Sequence, residues 1–472
     1  MVSHNNQQSD IYICSDVLNI ILNFLPLIHI FSIKLINKYY ENFIETNFIL
    51  ENYCHTRTNN KIIKKYGKYL KKIIIYNDWM DGNNLVECNK LKVLGLIESN
   101  ITDDELKYIP NIRYLYLPSN YNITDEGLKY ILNVRKLNLR GNTKITNDGL
   151  KYISDIRNLN LRYNKNITND GLKYIFNIRK IDLYSNTTIT DDGLKYIPNI
   201  KNLILRQNNN ITDEGLKYIQ NVQKLDMYMN RNITDNGIKY ISRVKFLNLH
   251  YCSNITNGGL KYISNVIKLN LGFNNNITNE GLKYIPNVEK LYLNFNKNIT
   301  NYGLKYIPKI RSLNLYINNK ITNKGLIHIP DVVKLDLHSN TKITDRGLKY
   351  IKNIMYLDLN SNNYVTDEGL KYISNIIRLD LYSNTNITNN GLKYISNVTD
   401  LNLGSNNNIS DEGLKYISNV TDLDLGSNNN ISDKGLKYIP NVIDLNLGSY
   451  DCITDEGLKC ILNVSDLCLR HY

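Results

Sequence analysis

Val134-Arg135-Lys136-Leu137-Asn138-Leu139, then Asn142, then Ile145-Thr146-Asn147-Asp148-Gly149-Leu150-Lys151-Tyr152-Ile153, is the stretch on which the fold turns. Its first part alternates apolar and polar residues with period two, the pattern of a strand with one buried face. In the last part Leu150 and Ile153 make one apolar face of a short helix. Thr146 is placed to cap that helix, and acidic residues in the first turn, such as Asp125 and Glu126 of the unit before, suit the dipole of the helix they begin. An Asn such as Asn133 is expected to close it in a left-handed conformation. The same unit recurs. Anchor Ile residues stand at 101, 123, 145 and every 22 residues on to 453, with Val365 the one substitute, which gives 17 anchors. Upstream, Leu70/Ile73/Ile75, Leu91/Leu94/Leu96 and Ile112/Leu115/Leu117 continue the strand pattern at spacing 21, for 19 strand units in all. One polar column accompanies them: Asn142, Asn164, Asn186, Asn208, Asn230, Asn274 and Asn296, and on to Asn428, broken only by Cys252 and Tyr450 downstream of residue 120. An amide carries both donors and an acceptor, so a stacked ladder of Asn can satisfy backbone groups where the chain leaves each strand. A 22-residue unit cannot bury its own edges, and stacking neighbours on one another supplies the missing core.

The composition excludes several classes. The chain has 472 residues, 42% hydrophobic and 21% charged, with 78 Asn, 37 Tyr, 8 Pro, one Trp and no Ala. That bias is the product of AT-rich codons and says little about chemistry. No uninterrupted apolar run reaches membrane-spanning length, the nearest, Ile20 to Ile36, being broken by Asn23, Pro26, His29, Ser32 and Lys34. The opening MVSHNNQQSD lacks a basic stretch followed by an apolar one, so no secretory leader is expected. Seven scattered Cys without CxxC spacing suit reduced thiols rather than disulfides or zinc, and a cytoplasmic setting follows as an expectation. The net charge of +13 is spread thinly, mostly on the Lys of each GLKYI, which reads as a solvated helix face and not as a nucleic-acid surface.

The unit resembles the leucine-rich repeat, L-x-x-L-x-L-x-x-N-x-x-I. Its ITDxGLKYI part looks most like the cysteine-containing subclass of F-box/LRR proteins, although the ladder here is Asn with Cys252 the one match. The resemblance implies an α/β horseshoe solenoid, a parallel sheet on the concave side and short helices outside. Ahead of the repeats, Val17, Ile20, Ile21, Phe24, Ile30, Ile33, Leu35 and Ile36 fall at helical spacings with Pro26 between two short helices. Read alone, this is a small helical cap on the first repeat. It also resembles an F-box, matching at Asp16, Val17, Leu18, Ile21, Phe24, Leu25, Ile30, Ile33, Leu35, Ile36 and Lys38 and departing at Ile13, Cys14 and Tyr40. That resemblance implies a substrate-recognition adaptor of a Skp1-cullin-F-box ubiquitin ligase, docking a Skp1-like protein through Val17, Leu18, Ile21, Leu25, Pro26, Ile33 and Leu35. The alternative is a protein-binding scaffold without ubiquitin chemistry. The organisation expected is a disordered tail over 1–10, an F-box-like segment over 11–50, a linker or cap over 51–69, and repeats over 70–472. AT-rich composition combined with F-box and repeat also resembles families abundant in giant DNA viruses, which would place the protein in a host cytoplasm.

Residues flanking the strand leucines point away from the core and can vary freely. Arg140, Arg162, Tyr184, Arg206, Tyr228, Tyr316 and Tyr382 are the candidate target-binding residues, since Tyr and Arg dominate interface hot spots. The alternative is a merely solvated face. The last units carry Asp400, Asp422, Asp424, Asp444 and Asp466 beside Gly404, Gly426 and Gly448. No metal site, cofactor or catalytic set is expected, because every recurrent polar residue is explained by the repeat. The partners expected are a Skp1-like protein and an unidentified target protein, with no nucleic acid and no membrane, and the chain is expected to be a monomer outside its complex.

Overall fold

The structure is a computed structural model, and it describes residues 49–51, 63–64, 67–75, 82–97, 99–404, 408–426, 430–448, 453–461, 464 and 466–469. The F-box-like residues Val17, Leu18, Ile21, Leu25, Pro26, Ile33 and Leu35 lie outside these, as do Asn406 and Asn428 of the polar column. The chain divides into two compact units at Asn166/Ile167.

In the first unit, strands Ile49–Glu51, Lys72–Ile75, Val93–Leu96, Tyr114–Tyr116, Lys136–Asn138 and Asn158–Asn160 pair in sequence order, all parallel. The second unit runs the same way from Lys180–Asp182 to Asp466–Leu469, with Leu opposite Leu at the centre of successive strands, as in Leu203↔Leu225↔Leu247. Both units are therefore leucine-rich-repeat solenoids, and the 22-residue sequence period is the step from one strand to its neighbour. The sheet begins one strand earlier than the sequence suggests. Ile49–Glu51, assigned above to the end of the F-box-like segment and the start of the linker, pairs with Lys72–Ile75; three residues are too few to display alternation.

From Ile112 to Ile439 each repeat buries the same six apolar side chains. Ile200, Leu203, Leu205, Ile211, Leu216 and Ile219 have no exposed surface at all. The strand leucines and the helix face meet between sheet and helices, and full burial of each is worth ~1.5–3 kcal/mol. The helices are single turns such as Asp213–Leu216, capped by Thr212, whose Oγ1 accepts from Glu214 N at 3.2 Å. Their C-caps, such as Lys129, are right-handed, so Asn133 does not close its helix in the left-handed region. The left-handed residues come instead just after each strand, at Ser185, Tyr251, Ser339 and their equivalents, with φ near 60°. There the backbone turns out of the sheet, and Gly141 with φ 82° holds the same place.

The turn is held by the Asn column. Asn142 Nδ2 donates to the carbonyls of Asn120 (3.0 Å) and Ile123 (2.8 Å) in the repeat before. Asn230 shows the full set: Nδ2 donates to Asn208 O and Ile211 O at 2.7 and 3.0 Å, and Oδ1 accepts from Asn232 N and Ile233 N at 2.8 and 3.1 Å. Asn164, Asn186, Asn208, Asn274 and Asn296 make equivalent bonds to the preceding repeat and are fully buried. At Cys252 the ladder is interrupted. Ile255 N turns to Cys252 O at 3.3 Å, and the Cys252 thiol, pushed up to about 12 by burial, sits against Met227 O as an inert side chain.

A second ladder joins the helices. Asp213 Oδ1 and Oδ2 accept from Thr234 N (2.8 Å) and Thr234 Oγ1 (2.6 Å), so the first helical residue of one repeat fixes the cap of the next. Where Asn takes the place, as at Asn257, its Nδ2 donates to Thr278 Oγ1 at 2.8 Å and the hydroxyl becomes the acceptor. The acidic first turn thus has a tertiary role beyond the helix dipole.

Candidate functional site

Three-residue strands with a buried centre leave two side chains on the open face of the sheet, and a third follows two residues later. In the second unit these three columns begin at Lys180, Asp182 and Tyr184 and repeat every 22 residues. Tyr184, Arg206, Tyr228, Tyr316 and Tyr382 all belong to the third column, half-buried except for Tyr382, which is exposed. Arg140 and Arg162 hold the corresponding column of the first unit, both over the ring of Tyr163 at 5.9 and 5.1 Å. The candidates are not equivalent. Arg206 is engaged by its own fold: Nε and Nη2 reach Asp226 Oδ2 at 2.7 and 2.6 Å, and the guanidinium lies 5.9 Å from the centre of the Tyr228 ring. A partner carboxylate would have to displace or share Asp226.

Next to this column runs an aromatic ridge that reading the strand-flanking positions missed. Tyr251 stacks on Phe273 and Phe273 on Phe295, with ring centres 4.3 and 4.1 Å apart. Tyr228 and His250 join at one end, and Tyr316 and His338 edge-on at the other. The stacked rings sit at the left-handed position, where Ser339, Ser361 and Ser383 serve in later repeats. Comparing that single column across repeats would have revealed them: Met229, Tyr251, Phe273, Phe295 and Ile317 in succession. On the open sheet face Arg206, Lys224, Phe246, Lys268 and Tyr292 line a groove of about 460 Å³.

Further along the same unit the face turns acidic. Asp336, Asp358 and Asp380 stand abreast on successive strands, as do Asp400, Asp422 and Asp444. Burial pushes the Asp358 carboxyl up from its ordinary value, against the opposing hydrogen bond from Asn360 N, and the Asp336 charge adds to the rise; His338 and Arg378 oppose it. Asp336, Asp380 and Asp400 are raised for the same leading reason. A carboxyl raised in the folded state keeps its proton where the unfolded chain has lost it, so stability falls as pH climbs from the unfolded value, near 3.8, through the folded one. Asp358→Asn, which keeps the acceptor for Asn360 N, is accordingly expected to raise the thermal midpoint at pH 7 by on the order of 1 °C. The gain should vanish below pH 3.8, and a midpoint lowered at pH 7 would contradict this account.

Among the described residues no group of three or more His, Cys, Asp or Glu side chains is arranged to hold a metal ion, and no helix is long and apolar enough to cross a membrane. What the geometry offers is an extended recognition face. The sequence model described as Leucine Rich repeat matches residues 132–154, 155–176, 198–219, 262–285, 351–374, 394–418 and 416–439. Fold and repeat matches together define a leucine-rich-repeat solenoid. No curated protein sequence matches the chain. Among solved structures, the chain is similar to that of a TLR13-ssRNA13 complex (17% identity, TM-score 0.54), covering 85% of this chain and spanning 66% of that one. It is also similar to an LRR protein of Leptospira interrogans (18% identity, TM-score 0.52), covering 74% of this chain and 95% of that one. At these identities the likeness is one of fold.

Proposed function

We propose that the chain is a substrate-recognition adaptor of a Skp1-cullin-F-box type ubiquitin ligase, acting in the cytoplasm. Its N-terminal segment would dock a Skp1-like protein through Val17, Leu18, Ile21, Leu25, Pro26, Ile33 and Leu35, and the open sheet face would take a target protein. The observation that carries the second half is the sheet face itself, with Tyr184, Tyr228, Tyr316, Tyr382 and the aromatic ridge along one solenoid. The first half rests on the F-box-like pattern of residues 13–40.

Two features favour a protein over a nucleic acid as the occupant, although the TLR13 structure is of a complex with single-stranded RNA. Rings of the ridge are stacked on one another, which leaves their faces closed to bases, whereas base-binding surfaces present free faces. The aspartates from Asp336 to Asp444 would repel phosphate. Co-precipitation tests the adaptor role. Wild-type chain should capture a Skp1-like protein and Leu18→Asp/Leu25→Asp should not, while both stay folded by circular dichroism. No capture by the wild type would leave a scaffold with no ubiquitin-ligase role.

A further inference from the structure

At the turn that leaves each strand, five successive repeats of the second unit place a large apolar residue: Met229, Tyr251, Phe273, Phe295 and Ile317, with φ between 57° and 61°. Left-handed backbone is costly for such side chains, most of all for the β-branched Ile317. The fold does not ask for them, since Ser339, Ser361 and Ser383 hold the same place in the next repeats at φ 58° to 59°. Burial does not account for them either. Tyr251 is exposed and the other four are half-buried, and the stacked rings of Tyr251, Phe273 and Phe295 make a continuous apolar strip.

A second, independent feature lies on the sheet of the same repeats. The first outward column reads Lys224, Phe246, Lys268 and Lys290 on successive strands, with all three Lys exposed. Lys224 Nζ stands 4.6 Å from the centre of the Phe246 ring and Lys268 Nζ 5.5 Å from that of Tyr292. Among the described residues no carboxylate is within ion-pair distance of the three Lys, and Asp226, the one acidic residue described in the groove there, is held by Arg206 Nη2 at 2.6 Å. Tyr228 links this groove to the apolar strip. Its ring centre is 5.9 Å from the Arg206 guanidinium and 5.9 Å, edge to face, from that of Tyr251.

We propose that this face docks an acidic segment of the target protein that also carries apolar side chains, its carboxylates on Lys224, Lys268 and Lys290 and its apolar groups on Tyr251, Phe273 and Phe295. This deepens the sheet-face reading and rests on it. Carboxylates would relieve the repulsion between Lys268 and Lys290, which stand directly opposite one another on adjacent strands. The net charge of +13 draws an acidic segment in from solution, at a rate that salt diminishes. A nucleic acid shares the negative charge but needs free ring faces to stack on, whereas Lys224 covers Phe246 and the rings of the strip cover one another.

The test uses the full chain and a short fluorescein-labelled peptide of alternating Glu and Leu, followed by anisotropy. Wild type should bind it, and Lys224→Gln/Lys268→Gln/Lys290→Gln should weaken binding at least about tenfold. Phe273→Ser/Phe295→Ser, which places at the turn the residue that later repeats use, should weaken it at least about fivefold, with both variants folded by circular dichroism. Lys283→Gln/Lys371→Gln/Lys415→Gln removes the same charge from exposed helix positions and should change binding less than about twofold. Absence of binding by wild type, equal weakening by both Lys variants, or full affinity in the Phe variant overturns the proposal. Single-stranded oligouridine bound more tightly than the peptide and lost in the Lys224/Lys268/Lys290 variant overturns it in favour of a nucleic acid. Dimers in sedimentation that this variant abolishes, without peptide binding, overturn it in favour of a second copy of the chain. Capture of a Skp1-like protein without peptide binding overturns this inference and leaves the adaptor reading standing, whereas peptide binding without capture does the reverse.

Discussion

Replacing Asn296 by Leu is expected to destabilise the second unit by roughly 4 kcal/mol, although the new side chain is apolar and enters a buried place. Asn296 has no exposed surface and serves four backbone groups: Nδ2 donates to Asn274 O (2.7 Å) and Ile277 O (3.1 Å), and Oδ1 accepts from Asn298 N (2.8 Å) and Ile299 N (3.1 Å). Each group left buried and unpaired costs about 1–3 kcal/mol. Relaxation of the turn toward water recovers part of that, and burial of the Leu side chain offsets a little more. Asn298→Ala, two residues on, is the control. Its amide reaches Asn275 O on the exposed side, so its loss should cost within about 1 kcal/mol. Urea unfolding followed by circular dichroism would compare the two. Equal losses would mean that the buried column is no more than a sequence habit.

Gly215→Ala carries the next largest effect, and its sign is the informative part. Gly215 lies in the one-turn helix Asp213–Leu216, where intrinsic propensity alone favours Ala by about 1 kcal/mol. Packing reverses this. A Cβ at Gly215 would come 2.3 Å from Asp191 Oδ1 and 3.2 Å from Leu194 Cδ1. The Asp191 carboxylate cannot swing aside cheaply, because it holds Thr212 N at 2.8 Å and Thr212 Oγ1 at 2.6 Å, the cap of the same helix. We expect Ala to cost about 2–3 kcal/mol, the range for a forced overpacking. The mechanism predicts strong coupling as well. In the Asp191→Ala background the clash is gone, so Gly215→Ala should then be neutral or stabilising, and a double-mutant cycle in urea reads the difference. Additive effects would show that the glycine is there for another reason.

Much of the fold is legible in residues such as Leu203, Leu225 and Leu247, because the strand step and the sequence period are one quantity. Once the 22-residue unit is seen, parallel pairing and Leu-to-Leu register follow, since any slip would turn the buried column to solvent. The three-residue strand Ile49–Glu51 was not legible: its pairing with Lys72–Ile75 lies off the regular period. Nor was the right-handed end of the helix at Lys129, because a helix of one turn passes into the next turn without the left-handed residue that closes longer ones.

The candidate face divides in the same way. Alternation alone says which residues of a strand can face outward, and so it nominates Tyr184, Arg206 and Asp400. It cannot say what each outward residue meets, because neighbours on the sheet are about 22 residues apart and their contacts depend on rotamer and stagger. That is why Arg206 read as an available cation, while the structure pairs it with Asp226 on the adjacent strand. Phe273 and Phe295 gained meaning only when their rings were seen stacked 4.1 Å apart. The sequence by itself determined the solenoid, since one repeating burial pattern has one way to stack. Only the tertiary structure decided the character of the face, because charge pairing, ring stacking and the glycine contacts all join residues that the chain brings together across repeats.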